Sequence, residues 1–244
     1  MAIHEVPGNQ GEVGSALQSI LRRSDGFVHG FDKDDRPNRV DSADFLHICY
    51  PWSPMFIRDV REDADTIFPS LDNRGIMVIH STVPVGTCSA LGPNVVHSPI
   101  RGIHPHLDLG IQQFTKFFGG PRAEEAAVPF RQLGIDCVTT PKAENTEALK
   151  LWDTTQHGVS IVLEKEIHEY CERHGLDFNI VYTQANATYN SGYHALNCDR
   201  FCRPVLKHTP GPIGGHCVVQ NAAILGDNWP ARLIREKQAD LSAE

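Results

Sequence analysis

The sequence predicts an α/β fold that gives way, near residue 141, to a smaller all-helical domain. Three observations carry that expectation. Short β-branched or aromatic segments bounded by Gly, Pro, Asp or Asn recur through the first 140 residues. Helix-patterned stretches lie between them, and after Pro141 the strand signal stops. The chain has 244 residues, enough for one large domain or two small ones. A hydrophobic share of 41% and a charged share of 21% are those of a packed globular chain and exclude disorder as the main state.

The strand segments are 26–32, 44–51, 75–84, 94–99 and 134–140, with helical stretches at 11–23 and 122–134. From Glu144 to His174 one helical pattern runs without proline, its only glycine being Gly158. Its apolar residues Leu149, Trp152, Val159, Leu163, Ile167 and Tyr170 recur at spacings of three, four or seven. Gly175 fits the position just past a helix end, and Asp177 fits the N-cap of a second helix through 180–189. Residues 198–244, rich in Pro and Gly, suggest no element. The expected domains are therefore 1–141 and 142–244.

Charge and cysteine usage narrow the function. Twenty-two Lys and Arg against 30 Asp and Glu give a net charge of −8, which argues against a tracker of nucleic-acid phosphates. No apolar run approaches the ~18 residues of a membrane span. The opening residues MAIHEVPGNQ lack the basic and apolar regions of a signal peptide. Seven cysteines, an odd number without a CxxC pair, suit a reducing compartment, so a cytoplasmic location is expected.

Gly8-Asn9-Gln10-Gly11-Glu12-Val13-Gly14 follows a short strand and opens a helix. It matches the GxGxxG dinucleotide fingerprint with Asn9 in place of the first glycine. Gly11 would let the backbone approach a pyrophosphate, and Gly14 would let helix and strand pack closely. Asn tolerates left-handed backbone, which makes the exchange at Asn9 acceptable. Asp32, 18 residues beyond Gly14, ends a strand where a carboxylate would hold a ribose and repel a 2′-phosphate. NAD is the expected cofactor, held by Asn9, Gly11, Glu12, Val13, Gly14 and Asp32, with Pro51, Ser81 and Thr82 at the ends of later strands. Only eleven residues, 33–43, separate Asp32 from Asp44, too few for a helical crossover and a further strand. The expectation is a trimmed Rossmann-type parallel sheet.

Three later segments are more specific. Ser81-Thr82-Val83-Pro84-Val85-Gly86-Thr87 follows a strand. Glu147-Ala148-Leu149-Lys150 leads into the long helix, which continues through Glu164-Lys165-Glu166-Ile167. Gly211-Pro212-Ile213-Gly214-Gly215-His216-Cys217 lies near the end. In that order they resemble the STVPVGT, ExxK…NE and GxGGxC motifs of the UDP-glucose/GDP-mannose dehydrogenase family, within the 6-phosphogluconate dehydrogenase-like superfamily. The resemblance spans residues 8–225. It implies a Rossmann domain, a helical dimerisation domain, an active site between them and Cys217 as a nucleophile. It also implies that the family's third, sugar-nucleotide-binding domain is missing. Thr154 stands where the family has Asn, Gln220 and Asn221 where it usually has Lys and Asp, and Ser98-Pro99-Ile100-Arg101 where an SPE motif supplies Glu. These departures argue against the family's full four-electron oxidation.

Residue chemistry supports the same reaction class. Lys150, Thr154 and His157 share one helix face. A lysine there can stabilise the alkoxide that forms as hydride leaves. Cys217, after a Gly-rich turn in which Gly214 and Gly215 allow close ligand approach, can trap an aldehyde as a thiohemiacetal. Thr82 can bond the nicotinamide ribose or a water. His97, His104 and His106 cluster beside Arg101, and this loop is expected to bind an anion rather than a metal, since neither a cysteine nor an HExxH pattern accompanies it. Arg200, Arg203 and Lys207 offer a second basic segment that can meet a phosphate or carboxylate. The predicted function is an NAD-dependent oxidoreductase acting on the CH–OH of a small anionic substrate: a sugar nucleotide, sugar acid or hydroxy acid. The catalytic set is Lys150, Cys217, Thr154 and Thr82; Arg101, His104, His157, Arg203, Gly214 and Gly215 bind substrate; no metal is expected. A homodimer without nucleic-acid or membrane partners is expected. The alternatives are a two-electron 3-hydroxyacid or prephenate-type dehydrogenase, and a non-catalytic nucleotide-binding module.

Overall fold

The computed structural model describes residues 1–32, 42–68, 75–102, 104–214 and 216–243. Two compact units divide the chain, Met1–Lys150 and Leu151–Glu244. In the first, strands β1 (Ile3–Pro7), β2 (Phe27–Phe31), β3 (Phe45–Ile48), β4 (Ile76–Ile79), β5 (Val95–His97), β6 (Lys116–Gly119) and β7 (Cys137–Thr140) form one sheet. Their order is β2-β1-β3-β4-β5-β6-β7. All pairings are parallel except β5 with β6, so the last two strands run against the rest of this mostly parallel, Rossmann-type sheet. The first five reproduce the dinucleotide-binding order 3-2-1-4-5-6 with its outermost strand absent among the described residues.

Helices cover both faces because successive strand residues point opposite ways. Val78 and Val96 join α1 (Glu12–Leu21), α4 (Leu107–Gln113) and α5 (Ala123–Gln132) through Leu17, Ile111 and Phe130. Ile79 and Val95 join α2 (Phe56–Ile67) and α3 (Thr87–Leu91) through Phe56, Val60 and Cys88. The sequence pattern did not mark β6, α2, α3 or α4. A lysine opens β6, yet Lys116 is buried and its ammonium donates to the Ser98 carbonyl (3.1 Å). In α2 the buried set Phe56, Val60, Asp63 and Ile67 includes an acid, which Tyr50 satisfies through its hydroxyl (3.2 Å).

One feature of this interior is unusual. His4, His47 and His80, on β1, on β3 and just past β4, form a buried stack joined Nδ1 to Nε2 at 3.0 Å each. His80 Nδ1 donates to the Ser98 carbonyl at 2.8 Å, so each Nδ1 of the stack carries the hydrogen and the Nε2 atoms of His47 and His80 accept. Burial holds these imidazoles neutral, pulling His4 down to about 4 and His47 and His80 well below the ordinary histidine value.

Helix α6 (Ala143–His174) begins in the first unit and continues into the second. Its opening turns are tied to the sheet unit by the bonds described below. Gly175 ends it with φ +62°, and the Leu176 N–H bonds back to Cys171 O at 2.9 Å. Asp177 Oδ1 accepts from Asn179 N (2.9 Å), capping a π-helical turn (Asn179–Gln184) that runs into α7 (Ala185–Ala195). A 3₁₀ turn (Asp199–Phe201) follows, and the segment left unassigned by its sequence folds into α8 (His216–Leu225) and α9 (Trp229–Ala243).

The core of the second unit gathers Val162, Ile213, Val218, Ala222, Ala231 and Ile234. Gly158 is required here: a Cβ would lie 2.6 Å from Ile234 Cδ1 and 2.7 Å from Val218 Cγ1. The buried face of α6 is therefore Leu151, Thr155, Gly158 and Val162. Of the apolar stripe read from the sequence, Val159 packs against this core, whereas Trp152, Leu163 and Tyr170 are exposed at 48%, 58% and 49%.

Candidate active site

The β1–α1 turn has the geometry of a phosphate cradle. Gly8 takes φ +81°, and its N–H bonds Phe31 O on β2 at 2.9 Å. Gly8 therefore supplies the left-handed residue, and Asn9, expected to tolerate that conformation, is not called on to adopt it. Gly14 packs against this turn so closely that a Cβ would sit 2.1 Å from Gly8 O. The N-cap of α1 is Gly11, with no side chain capping the first-turn N–H groups. Asn9 Oδ1 is buried without a hydrogen-bond partner, its side chain lying against Gly30 of β2. An open helix N-terminus behind a tight glycine turn at the carboxyl edge of the sheet fits a dinucleotide pyrophosphate. Parallel pairing of Pro7 with Phe31 sets Asp32 at the same edge, one residue beyond β2. Glu12 and His104, expected on cofactor and substrate respectively, form an ion pair with each other.

The loops after β3, β4 and β5 are bound together at that edge. Ser81 donates its hydroxyl to Tyr50 O, next to Pro51. His97 was expected in a surface anion-binding cluster with His104 and His106. It is instead fully buried, with Nε2 donating to Ser81 O (3.1 Å) and Nδ1 accepting from the Thr146 hydroxyl (3.0 Å). Desolvation pulls it down to about 3, so it is a neutral link.

The start of α6 completes the arrangement. Glu147 is fully buried, and its carboxylate accepts from Gly86 N (2.6 Å) and Cys88 N (2.8 Å), capping α3 from another element. Two of the three sequence motifs, 60 residues apart, thus meet directly. Three residues on, half-buried Lys150 donates to Ile100 O at 2.9 Å. Thr82 is half-buried in the loop that Glu147 secures. Arg101 lies with its guanidinium 5.5 Å from the Phe114 ring and 5.8 Å from the Phe117 ring.

In the second unit the departures from the family pattern meet one another. Asn221 Nδ2 donates to Thr154 Oγ1 at 3.0 Å, so the two exchanged residues form one hydrogen-bonded pair. The Gly-rich segment is held from α6: Lys165 donates to Thr209 O and Gly211 O at 2.7 Å each, and Glu164 accepts from His208 at 2.8 Å. Cys217 lies in the first turn of α8, partly buried. His157 and Gly214 are exposed, and Gly215 lies outside the described residues. Arg203 stacks on Tyr189, its guanidinium 3.7 Å from the ring centre. The anchoring roles of Thr146 and Lys165 were missed by sequence reasoning. Their signal was position alone, each adjoining a motif residue.

No protein-family model matches the chain. It is 25% identical over 218 residues to UDP-N-acetyl-D-mannosamine dehydrogenase of Methanocaldococcus jannaschii, covering 81% of this chain and 48% of that protein. The chain thus spans about half the length of the curated relatives it matches. In fold it is similar to UDP-D-ManNAc dehydrogenase from Pyrococcus horikoshii, with a TM-score of 0.74 at 20% identity over 99% of this chain and 69% of that one. It is likewise similar to 3-hydroxyisobutyrate dehydrogenase of Mycobacterium tuberculosis, with a TM-score of 0.69 at 15% identity over 100% of this chain and 94% of that one. UDP-N-acetyl-D-mannosamine dehydrogenases are its relatives in sequence, and its fold is the Rossmann-like fold of the dehydrogenases.

Proposed function

We propose that the chain acts as an NAD-dependent dehydrogenase that removes hydride from the CH–OH of a small anionic substrate, a sugar nucleotide or related acid. The observation that carries this reading is the bond between Glu147 and the Gly86–Cys88 backbone. It joins the helix bearing Lys150 to the strand-end loop bearing Thr82 at the cofactor edge of the sheet. NAD would be held by the open N–H groups of α1 behind Gly11, with Asp32 toward its ribose. Bound there, the nicotinamide supplies the hydride acceptor. Lys150 would steady the oxyanion that develops as hydride leaves, which any reaction of this class requires.

A second reading within this class is a two-electron oxidation, and the Thr154–Asn221 pair favours it. Going on from aldehyde to acid wants a thiolate and a base for hydrolysis. Gln220 and Asn221 beside Cys217 exchange no proton near neutral pH. A homodimer in the cytoplasm, built on the exposed stripe of α6, is part of the same proposal. Among the described residues no helix is long and apolar enough to cross a membrane.

Calorimetric titration tests the cofactor. NAD is expected to bind more tightly than NADP because Asp32 repels a 2′-phosphate, and equal affinities would remove Asp32 from the ribose. With a substrate in hand, Lys150→Ala should lower kcat roughly 10²-fold, while Cys217→Ser should leave the first hydride transfer measurable. Two NADH formed per substrate would overturn the two-electron reading.

A further inference from the structure

The end of α7 and the turn after it bring together three side chains that the reading above does not use. His194 lies in the last turn of α7, Asp199 opens the 3₁₀ turn and Cys202 follows it, a spacing of H-x4-D-x2-C. Asp199 Oδ1 is 2.7 Å from His194 Nδ1. Cys202 Sγ is 4.0 Å from that Nδ1 and 3.7 Å from Nε2. One ligand atom from each residue lies within 4.8 Å of the other two.

We propose that His194, Asp199 and Cys202 bind one divalent cation of the zinc class, with a fourth position open to water. The donor set is the first argument. Imidazole nitrogen, carboxylate oxygen and thiolate sulfur are the three ligand types zinc takes, and the soft thiolate disfavours magnesium and calcium. Spacing is the second. Bonds of about 2.0–2.3 Å in a tetrahedron put ligand atoms roughly 3.3–3.7 Å apart. The 2.7 and 4.0 Å separations around His194 Nδ1 bracket that range. Small rotations of partly exposed side chains close the difference.

The backbone is already set for the task. Asn197 adopts φ +54°, reversing the chain after α7, and Cys198 N bonds Tyr193 O at 2.9 Å. Cys202 N bonds Asp199 O at 2.9 Å, which holds the acid and the thiol on one turn. The His194 and Asp199 side chains are 60% and 77% exposed, so an ion can reach them from solvent. The ion would clip residues 196–202 to the end of α7. Neither a CxxC nor an HExxH search finds this trio, because only the chain reversal makes it local.

The test uses the full chain, stripped of metal and titrated with Co²⁺. One equivalent should give a thiolate-to-cobalt charge-transfer band that Zn²⁺ then displaces. Cys202→Ser should abolish the band, and His194→Ala should weaken binding by at least ~100-fold, more than losing a supporting contact would. A measurement on the unsubstituted chain guards against misfolded variants: Zn²⁺ should protect Cys202, and not Cys137, from alkylation mapped by peptide mass. Absence of stoichiometric binding, a band that survives Cys202→Ser, or equal alkylation of Cys202 with and without Zn²⁺ would each overturn the proposal.

Discussion

The two units solve the problem of burial differently. The sheet unit encloses most of its apolar residues, though Phe27, Val85 and Leu109 stay exposed, and it links polar groups in its interior: three histidines run in a hydrogen-bonded line, and Glu147 accepts from two backbone N–H groups. The helical unit encloses a small core and leaves Trp152, Leu163, Ile180, Leu196 and Trp229 exposed by 48–69%. These side chains are the surface on which the proposed homodimer would rest. The contrast is one of proportion: the smaller unit leaves more of its large apolar side chains uncovered for its length.

The largest effect expected on that contrast is acid unfolding of the sheet unit. Unfolded histidine titrates near 6.5, whereas folded His4 does so at about 4 and His97 at about 3. Between those values the unfolded chain binds more protons, so the histidines' contribution to stability is complete above pH 6.5 and is lost as pH falls through this window. A protonated imidazole in the stack would also face a donor with a donor. Lys116, lowered by burial to about 7 from 10.5, adds a second limb: stability rises from pH 7 toward 10.5. Urea midpoints measured from pH 8 to 4, with hydrogen exchange corrected for intrinsic rates, should show β1, β3 and β4 opening first. A midpoint flat between pH 6.5 and 4.5 would refute this.

Next in size is Gly14→Val, which drives a side chain into Gly8 O and should cost about 3 kcal/mol or more. A loss below about 1 kcal/mol in urea titration would mean the turn is loosely packed. Glu147→Gln should cost about 2 kcal/mol, because the amide keeps the shape but loses a charge-assisted double acceptor. It should also loosen the 81–88 loop, read as faster exchange at Gly86 and Cys88. The smallest effect on folding belongs to Trp152→Glu, no more than about 0.5 kcal/mol at an exposed position. Its consequence should appear in assembly: sedimentation of the unsubstituted chain should give twice 27.1 kDa, and the variant a monomer. A monomeric parent, or a variant that still dimerises, would erase the difference drawn between the units.

Much of the sheet was legible because parallel strands buried on both faces are nearly all apolar. The segments at 44–51, 75–84 and 94–99 contain β3, β4 and β5. β6 was not, since a lysine opens so short a run, and its burial rests on the Ser98 carbonyl and the Phe118 and Phe130 rings. In the candidate site, the motif residues Gly14, Glu147 and Lys150 could be named from order alone. Their partners could not. Nothing in the string links Glu147 to Gly86, His97 to Thr146 or Asn221 to Thr154.

Local patterning by itself determined the αβ alternation, the glycine turn, the long helix and its Gly175 stop, because each depends on residues within a few positions of one another. Tertiary structure alone decided which face of α6 is buried. Gly158 admits Val218 and Ile234, and that close approach outweighs the wider apolar stripe carrying Trp152 and Leu163. It alone decided that three histidines could share a dry interior, since each needs the next as its partner. It alone also brought His194, Asp199 and Cys202 into one small volume. Such choices rest on contacts between residues remote in the chain or reversed by a turn, and pairing energies of that kind leave no period in a sequence.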